Sequence, residues 1–475
     1  MNNISKKTKI VCTIGPATES VEMLTKLVEA GMNVMRLNFS HGDFAEHQVR
    51  INNIKKVQDK TDMCVAVLQD LAGPKIRIGK FEKGSTVLKP GATFTITTKD
   101  IIGNDEKVSI NYPEFAKEVK VGDHVLLHDG KKSLQVMDIK GDEVKCKVIV
   151  GGEIKDRRGV NLPDTDLSVP ALTDKDMKDM EFGLKNKVDF FALSFVRRPE
   201  DIIQLREILK KRNSDAHIIA KVETPQAVAN IDKIIELVDG IMVARGDLAI
   251  EIPAENVPAV QKMIIKKCNA IGKPVITATQ MLESMIHSPV PTRAEVSDIA
   301  NAILDGTDAI MLSEETTLGE FPVQAVEVMT RVAKKIEGDY LHRELSMKRK
   351  FENTPDDIAE AITNEAVDVA DNIEAHKIVV LTDSGYTARM VSRLKPSQLI
   401  IALTPKERSA RKMTLSSGVK PIVVKSFKTL DDGMKTIRAT LVKGKFVGKG
   451  ELVVVVAGIP FGKPGATNTI LVEKI

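Results

Sequence analysis

The chain has 475 residues, 69 of them lysine or arginine against 65 aspartate or glutamate, for a formal net charge of +4, and 43% of it is hydrophobic. That length predicts about two to four domains, because a single core stops growing near ~250–300 residues. The near-balanced charge argues against nucleic acid as a main partner, and no apolar run approaches the ~20 residues of a membrane span.

The stretch Met1 to Lys9 carries lysines with no apolar signal core behind them. Cys12, Cys64, Cys146 and Cys268 are dispersed, without metal-ligand spacing. Cys12 and Cys64 sit in apolar strand-like runs and read as buried thiols, which places the chain in the reducing cytoplasm.

Taken in chain order, short β-branched or apolar runs predict strands at residues 9–14, 33–37 and 63–68, with an amphipathic helix over 20–30 between the first two. The texture then changes. Residues 76–79, 93–97, 107–110, 124–127, 133–139 and 143–150 alternate apolar and polar, separated by turns such as Pro90-Gly91 and Asp129-Gly130. They predict a small all-β domain inserted in a loop, hinged at Gly73-Pro74 and over Pro163 to Pro170, and so a natural lid. Strands resume at 188–194, 217–221, 240–243, 274–278 and 309–312, with helices over 199–211 and 226–238. Alternating strands and helices imply a parallel sheet with right-handed crossovers, and eight units close a (β/α)8 barrel. Past a charged linker, Tyr340 to Asn353, a helix over 358–372 and strands at 377–381, 399–404, 420–424 and 452–457 predict an open α/β domain. The expected division is a barrel from residues 1–70 and 171–345, a β lid over 71–170, and a C-terminal α/β domain over 355–475.

In a parallel barrel the carboxyl ends of all strands open on one face. Lys221 and Glu223 stand past one predicted strand, and Asp247 past the next. Either carboxylate alone would serve equally as a helix N-cap or an ion-pair partner. The pair, with Lys221 beside it, favours a magnesium site completed by substrate oxygens and water. The Lys221 ammonium suits a phosphoryl group in transfer, and an ion pair with Glu223 is compatible with that role. Arg36, Asn38 and Ser40 alternate to one face of an extended segment and offer a phosphate fork with neutral oxygens. His41, taken alone, is more often a structural histidine. Asp70, Lys75 and Arg77 crowd the lid junction, where the two cations either clamp a phosphate or stand as solvated charges. Thr279 and Ser313 end the last two strands; their hydroxyls would position water or relay a proton, or simply bond backbone. In the C-terminal domain, Thr382-Asp383-Ser384-Gly385 and Thr387 at a helix start suit a phosphate, or plain capping by Asp383 or Ser384.

Longer motifs carry a specific resemblance. Thr13-Ile14-Gly15-Pro16, Met35-Arg36-Leu37-Asn38-Phe39-Ser40-His41-Gly42, Ala220-Lys221-Val222-Glu223, Met242 to Leu248, Ala278 to Met285, Pro291-Thr292-Arg293-Ala294-Glu295 and Leu304 to Ser313 are spread over nearly the whole chain. Together they resemble the pyruvate kinase family, whose fold is a barrel with a β lid and a C-terminal α/β domain. The resemblance implies transfer of the phosphoryl group of phosphoenolpyruvate to ADP, giving pyruvate and ATP. It implies a magnesium or manganese ion on Glu223 and Asp247, with Lys221 stabilising the phosphoryl group and Arg36 and Arg77 contacting phosphates. Thr279 and Ser313 would serve protonation of the enolate, and the Gly246 and Asp247 amides would cradle the substrate carboxylate. Pro16, Asn38, His41, Arg77 and Lys175 match nucleotide-side positions. Asn38, Ser40, Asp70 and Leu71 match the monovalent-cation site.

Many members read Asp-Thr-Lys-Gly-Pro-Glu at the lid junction. This chain reads Asp70-Leu71-Ala72-Gly73-Pro74-Lys75, so the Lys75 ammonium is expected to replace potassium. Ala249 stands where glycine is usual, and Glu314 where a small residue is usual. Thr382, Asp383, Ser384, Gly385 and Thr387 resemble the effector loop, with Tyr386 in place of a basic residue, for a sugar phosphate or AMP. The family is usually a homotetramer.

Overall fold

The computed structural model describes residues 6–61, 63–339, 357–426, 429–460 and 467–475. The linker expected at Tyr340–Asn353 lies outside the described residues.

Eight parallel strands close a barrel: β1 (Lys9–Thr13), β2 (Val34–Asn38), β3 (Ala66–Asp70), β4 (Phe190–Leu193), β5 (His217–Val222), β6 (Gly240–Ala244), β7 (Val275–Ala278) and β8 (Ala309–Leu312), with β8 back against β1. Val11, Val34, Leu68, Phe190, Met242 and Met311 are among the residues that fill the interior. A larger apolar layer joins the outer faces of the strands to the surrounding helices. The strands are short, buried on both sides and rich in Val, Ile and Ala, as crossover helices require.

Two strands run further toward the mouth than the apolar pattern predicts. Pairing of Asn38 with Asp70 extends β2 and β3 over polar residues. Gln69 is fully buried and donates from Nε2 to the Asp179 carbonyl at 2.7 Å. Hydrophobicity is blind to such a residue because its amide nitrogen is satisfied by another element.

Local signals set most helix starts. Ser20 accepts the Met23 N–H at the head of the helix Val21–Ala30, and Thr173 with Asp176 forms a capping box before Asp174–Asn186. The single helix expected over 226–238 is two, Pro225–Ala229 and Ile231–Leu237. It breaks at Asn230, whose side chain donates to the Arg197 carbonyl at 2.9 Å.

Between β3 and β4 lies the inserted β unit. Strands Thr93–Thr97, Lys107–Ser109, His124–Leu127, Lys132–Lys140, Glu143–Val150 and Val160–Asn161 form a six-stranded, mostly antiparallel sheet. Ser85–Leu88 and Gly152–Lys155 form a two-stranded ribbon. The strand predicted at 76–79 makes only isolated bridges, Arg77 to Gly159 and Ile78 to Ile110. The unit has its own core, which includes Phe94, Phe115, Val125 and Leu134.

The C-terminal sheet has the order Val419–Val423, Leu399–Thr404, Lys377–Leu381, Leu452–Gly458, Thr467–Lys474. Its last strand is antiparallel and was not predicted, since only part of it is apolar. The two faces of the sheet pack into separate apolar clusters. Leu415 of this domain joins the cluster inside the barrel. Lys395 pairs with Asp308 at 2.8 Å, both side chains almost wholly buried. Among the described residues, no helix is long and apolar enough to cross a membrane. Cys12, Cys146 and Cys268 are buried free thiols, and Cys64 is only half-buried.

Candidate active site

The carboxyl ends of β2, β3 and β5 bring together a buried ionic cluster. Arg36 donates from Nε to Asp70 Oδ2 at 2.7 Å and from an Nη to Thr13 Oγ1 at 2.8 Å. The Lys221 ammonium lies 2.7 Å from Glu223 Oε1 and 3.3 Å from Asp70 Oδ1, and it donates to Ser194 Oγ at 2.8 Å. Ser194 passes a hydrogen bond on to the Leu71 carbonyl at 2.7 Å. Burial alone would lower the pKa of Lys221, but Asp70, Glu223 and Asp247 together hold it above the ordinary lysine value. The same cations keep Asp70 below its ordinary value against its own burial. Lys221 is therefore a fixed positive charge at neutral pH.

Glu223 differs from Asp70. Burial, with help from the Asp247 charge, pushes its carboxyl up, while Lys221 opposes the shift. Oε2 accepts the Phe195 N–H at 2.8 Å. Oε1 is buried and lies 2.7 Å from the Lys221 ammonium. Asp247 stands in the first turn of the helix Arg245–Glu251 that follows β6. A buried carboxyl raised by a neighbouring carboxylate charge, with Asp247 on the next strand's helix, fits a pair of ligands to a divalent cation. Among the described residues, no group of three or more His, Cys, Asp or Glu side chains gathers at one point. Such an ion would take its remaining oxygens from substrate and water.

Beyond β7, Thr279 holds a φ of 69° and Gln280 a φ of 55°. A β-branched residue in the left-handed region costs of order 1–3 kcal/mol and persists only where its surroundings force it. Thr279 Oγ1 accepts the Gly246 N–H at 2.7 Å and donates to the Ala278 carbonyl at 2.6 Å. The Thr279 carbonyl accepts from Arg245 at 2.7 Å, and Arg245 also pairs with Asp298. After β8, the Ser313 N–H donates to Glu315 Oε2 at 2.7 Å, while Glu315 Oε1 takes the Leu282 N–H at 3.1 Å.

Three comparisons with known proteins bear on this arrangement. The family model for the pyruvate kinase barrel domain matches residues 5–326, and that for the pyruvate kinase alpha/beta domain matches 360–473. The chain belongs to the pyruvate kinase family. A pyruvate kinase of Geobacillus stearothermophilus is 46% identical over 475 residues, covering 99% of this chain and 81% of that one. One of Staphylococcus epidermidis is 45% identical over 473 residues, covering 99% and 80%. Among solved structures, a pyruvate kinase from Cryptosporidium parvum superposes with a TM-score of 0.95 at 40% identity, covering 100% of this chain and 97% of that chain. This member of the pyruvate kinase family is accordingly a phosphotransferase of glycolysis.

The other expected positions have these surroundings. Asn38 Oδ1 accepts the Ser40 N–H at 3.1 Å. His41 is exposed, and what burial it has, with the charges of Lys75, Arg77 and Arg36, keeps its imidazole below the ordinary pKa. Lys75 is held below the ordinary lysine value, first by burial and then by Arg77 and Lys221, while Asp247 and Asp70 pull it back up. Arg77 donates instead to the Arg157 carbonyl in the lid at 2.8 Å. Lys175 bonds the Phe39 carbonyl at 2.7 Å and Asp179 at 2.6 Å, and Pro16 is exposed.

In the C-terminal domain, neither Asp383 nor Ser384 caps the helix Tyr386–Ser392. The N-cap is Gly385, with a φ of 87°, and its N–H donates to Thr382 Oγ1 at 3.0 Å. Asp383 pairs with Lys406 at 3.3 Å, the Ser384 hydroxyl accepts the Tyr386 N–H at 3.4 Å, and the buried Thr387 hydroxyl bonds Thr467.

Sequence reasoning missed Thr13, Ser194, Arg245, Glu251 and Glu315. Ser194 alone had a readable signal, a hydroxyl directly past a predicted strand. Arg245 and Glu315 act on loops more than 30 residues away, which spacing cannot reveal.

Proposed function

We propose that Lys221, Arg36, Glu223 and Asp247 carry transfer of the phosphoryl group from the enol oxygen of phosphoenolpyruvate to a terminal oxygen of ADP. The observation that carries the reading is Lys221 held charged between Asp70 and Glu223 at the barrel mouth. Arg36, locked by Asp70 and Thr13, presents its remaining donors to a phosphate in fixed geometry. Lys221 neutralises charge on the phosphoryl oxygens during transfer, and its preorganisation by three acceptors removes reorganisation from that step. A magnesium or manganese ion on Glu223 and Asp247 would supply Lewis-acid polarisation of the substrate oxygens. The enolate left behind takes a proton at carbon, with Thr279 and Ser313 orienting the donor water. The Asp247 amide serves the substrate carboxylate, the expected Gly246 N–H being engaged by the Thr279 hydroxyl at 2.7 Å, and Pro16, Asn38, His41, Arg77 and Lys175 serve the nucleotide.

Lys75 takes the place of potassium. The Asp70 and Asp247 charges both reach its ammonium. Three of the four positions matching the monovalent site already have their oxygens engaged by protein groups: Asn38 by Ser40, Asp70 by Arg36, and the Leu71 carbonyl by Ser194. The turnover assay therefore uses magnesium in buffer free of potassium, sodium and ammonium. Pyruvate forms there at near-full rate, and Lys75→Glu makes the rate rise with added potassium. Potassium dependence of the parent enzyme would discard this role for Lys75.

The domain limits of 1–70 with 171–345, 71–170 and 355–475 are part of the same reading, as are a cytoplasmic homotetramer and a regulatory C-terminal domain. Thr382 to Gly385 and Thr387 form the effector loop, which takes a sugar phosphate or AMP. A phosphoenolpyruvate saturation curve unmoved by a panel of such compounds would remove the effector.

A further inference from the structure

The lid meets the barrel at one corner in a way the catalytic cluster does not use. Asn161, on the lid strand Val160–Asn161, donates from Nδ2 to Glu251 Oε1 at 2.6 Å. Glu251 is the last residue of the helix Arg245–Glu251, four residues after Asp247, so the two carboxylates share one helix face. A second contact falls beside it. Gly130, in the turn between lid strands His124–Leu127 and Lys132–Lys140, lies so close to Ile250 that an added Cβ would sit 3.4 Å from Ile250 Cγ2. The lid strand that carries Asn161 pairs with His124–Leu127, so both contacts come from one edge of the lid. They land on two consecutive residues at the end of one short helix.

We propose that Asn161 and Glu251 form a clasp that registers the lid against the Asp247 helix, making both of them positioning residues for phosphoryl transfer. An amide donor on a part-buried carboxyl oxygen at 2.6 Å is strong enough to bias a hinge and reversible enough to let it open. The lid hangs on Gly73, with a φ of 65°, and Pro74, a junction that allows such motion. Its position is then read at the far end of the helix whose first turn holds Asp247. The effect on rate rests on the reading of Asp247 as a metal ligand; the clasp itself does not.

The test exchanges donor and acceptor. Asn161→Asp sets two carboxylates against each other, and Glu251→Gln supplies an amide that can donate back to the new carboxylate. Asn161→Asp lowers kcat/KM by about tenfold or more, the scale of a lost hydrogen bond to a charged group, and the double variant Asn161→Asp, Glu251→Gln recovers most of the loss. Lid position is read separately by a fluorescent pair on Val121→Cys and Val290→Cys, both exposed, in a Cys64→Ser background. The single variant lengthens the lid-to-barrel distance and the double variant restores it. Additive losses in the double variant, or an unchanged distance in the single variant, overturn the clasp. A restored distance with no change in rate anywhere keeps the contact and overturns its positioning role.

Discussion

At the scale of single residues, the site stores its charge in groups that cannot be removed singly without cost. Lys221→Met leaves Glu223 buried without its cation and Asp70 with Arg36 alone. The expected loss is about 3–5 kcal/mol of stability together with a fall in kcat of ~10³-fold. Denaturant unfolding and turnover measured on the same preparation check both, and a variant as stable as the parent would show that the two acids neutralise themselves by binding a proton. Thr279 separates strain from chemistry. Thr279→Ser keeps the hydroxyl and is expected to keep most activity. Thr279→Gly removes the hydroxyl, relieves the left-handed φ, and lowers kcat by ~10²-fold without lowering the unfolding midpoint. Far from the chemistry, burial depresses His217, at the start of β5, to a pKa of about 3, its ring edge-on to Phe190. A base held neutral in the fold takes up its proton mainly when the chain unfolds. Stability is therefore lost as pH falls from about 6.5 toward 3, by about 2–3 kcal/mol at pH 4.5. His217→Gln should flatten that acid limb of stability and leave kcat at pH 7 unchanged.

At the scale of elements, the helix Arg245–Glu251 is where the site is assembled. It is too short to stand on propensity, so its place is set by what it holds. Arg245 bonds the carbonyls of Ala278 and Thr279 and pairs with Asp298. Gly246 bonds the Thr279 hydroxyl, and Glu251 meets the lid. Arg245→Met is expected to loosen the loop after β7. The apparent magnesium affinity, read by titration of activity against the ion, should then weaken along with turnover, whereas the fold persists. The barrel strands were legible because their period and their flanking helices repeat. The inserted unit's Ser85–Leu88 and Val160–Asn161 were not, since the first is half-buried or exposed except at Leu88 and the second has only two residues. The C-terminal edge strand failed for a related reason: its residues are mostly half-buried or exposed.

For the whole molecule, the base of the barrel and the C-terminal domain share one buried seam. Asp308 accepts Lys395 and the Ser417 N–H from that domain and the Val275 N–H from β7. Arg411 pairs with the buried Asp189, which also holds the Val67 N–H of β3. Leu415 packs inside the barrel. Lys395→Met leaves Asp308 buried without its cation, and the expected cost is about 3–5 kcal/mol. Probes placed in the barrel and in the C-terminal domain should lose that stability together. Separate transitions, with only the C-terminal domain shifted, would show that the seam does not couple them.

The sequence by itself determined the barrel, its inserted β unit and the trailing α/β domain, because hydrophobic period and turn chemistry are local. It also determined which residues stand at the strand ends, so Lys221, Glu223 and Asp247 could be placed on one face before any coordinates. Only the tertiary structure decided their states. Lys221 is held charged by Asp70, a residue 151 positions earlier; Glu223 is pushed up by burial against the pull of Lys221; and Thr279 is bent into the left-handed region around Gly246. Each depends on partners brought close by closure of the barrel. Burial and charge neighbourhood are properties of three-dimensional distance, which spacing along a chain does not encode.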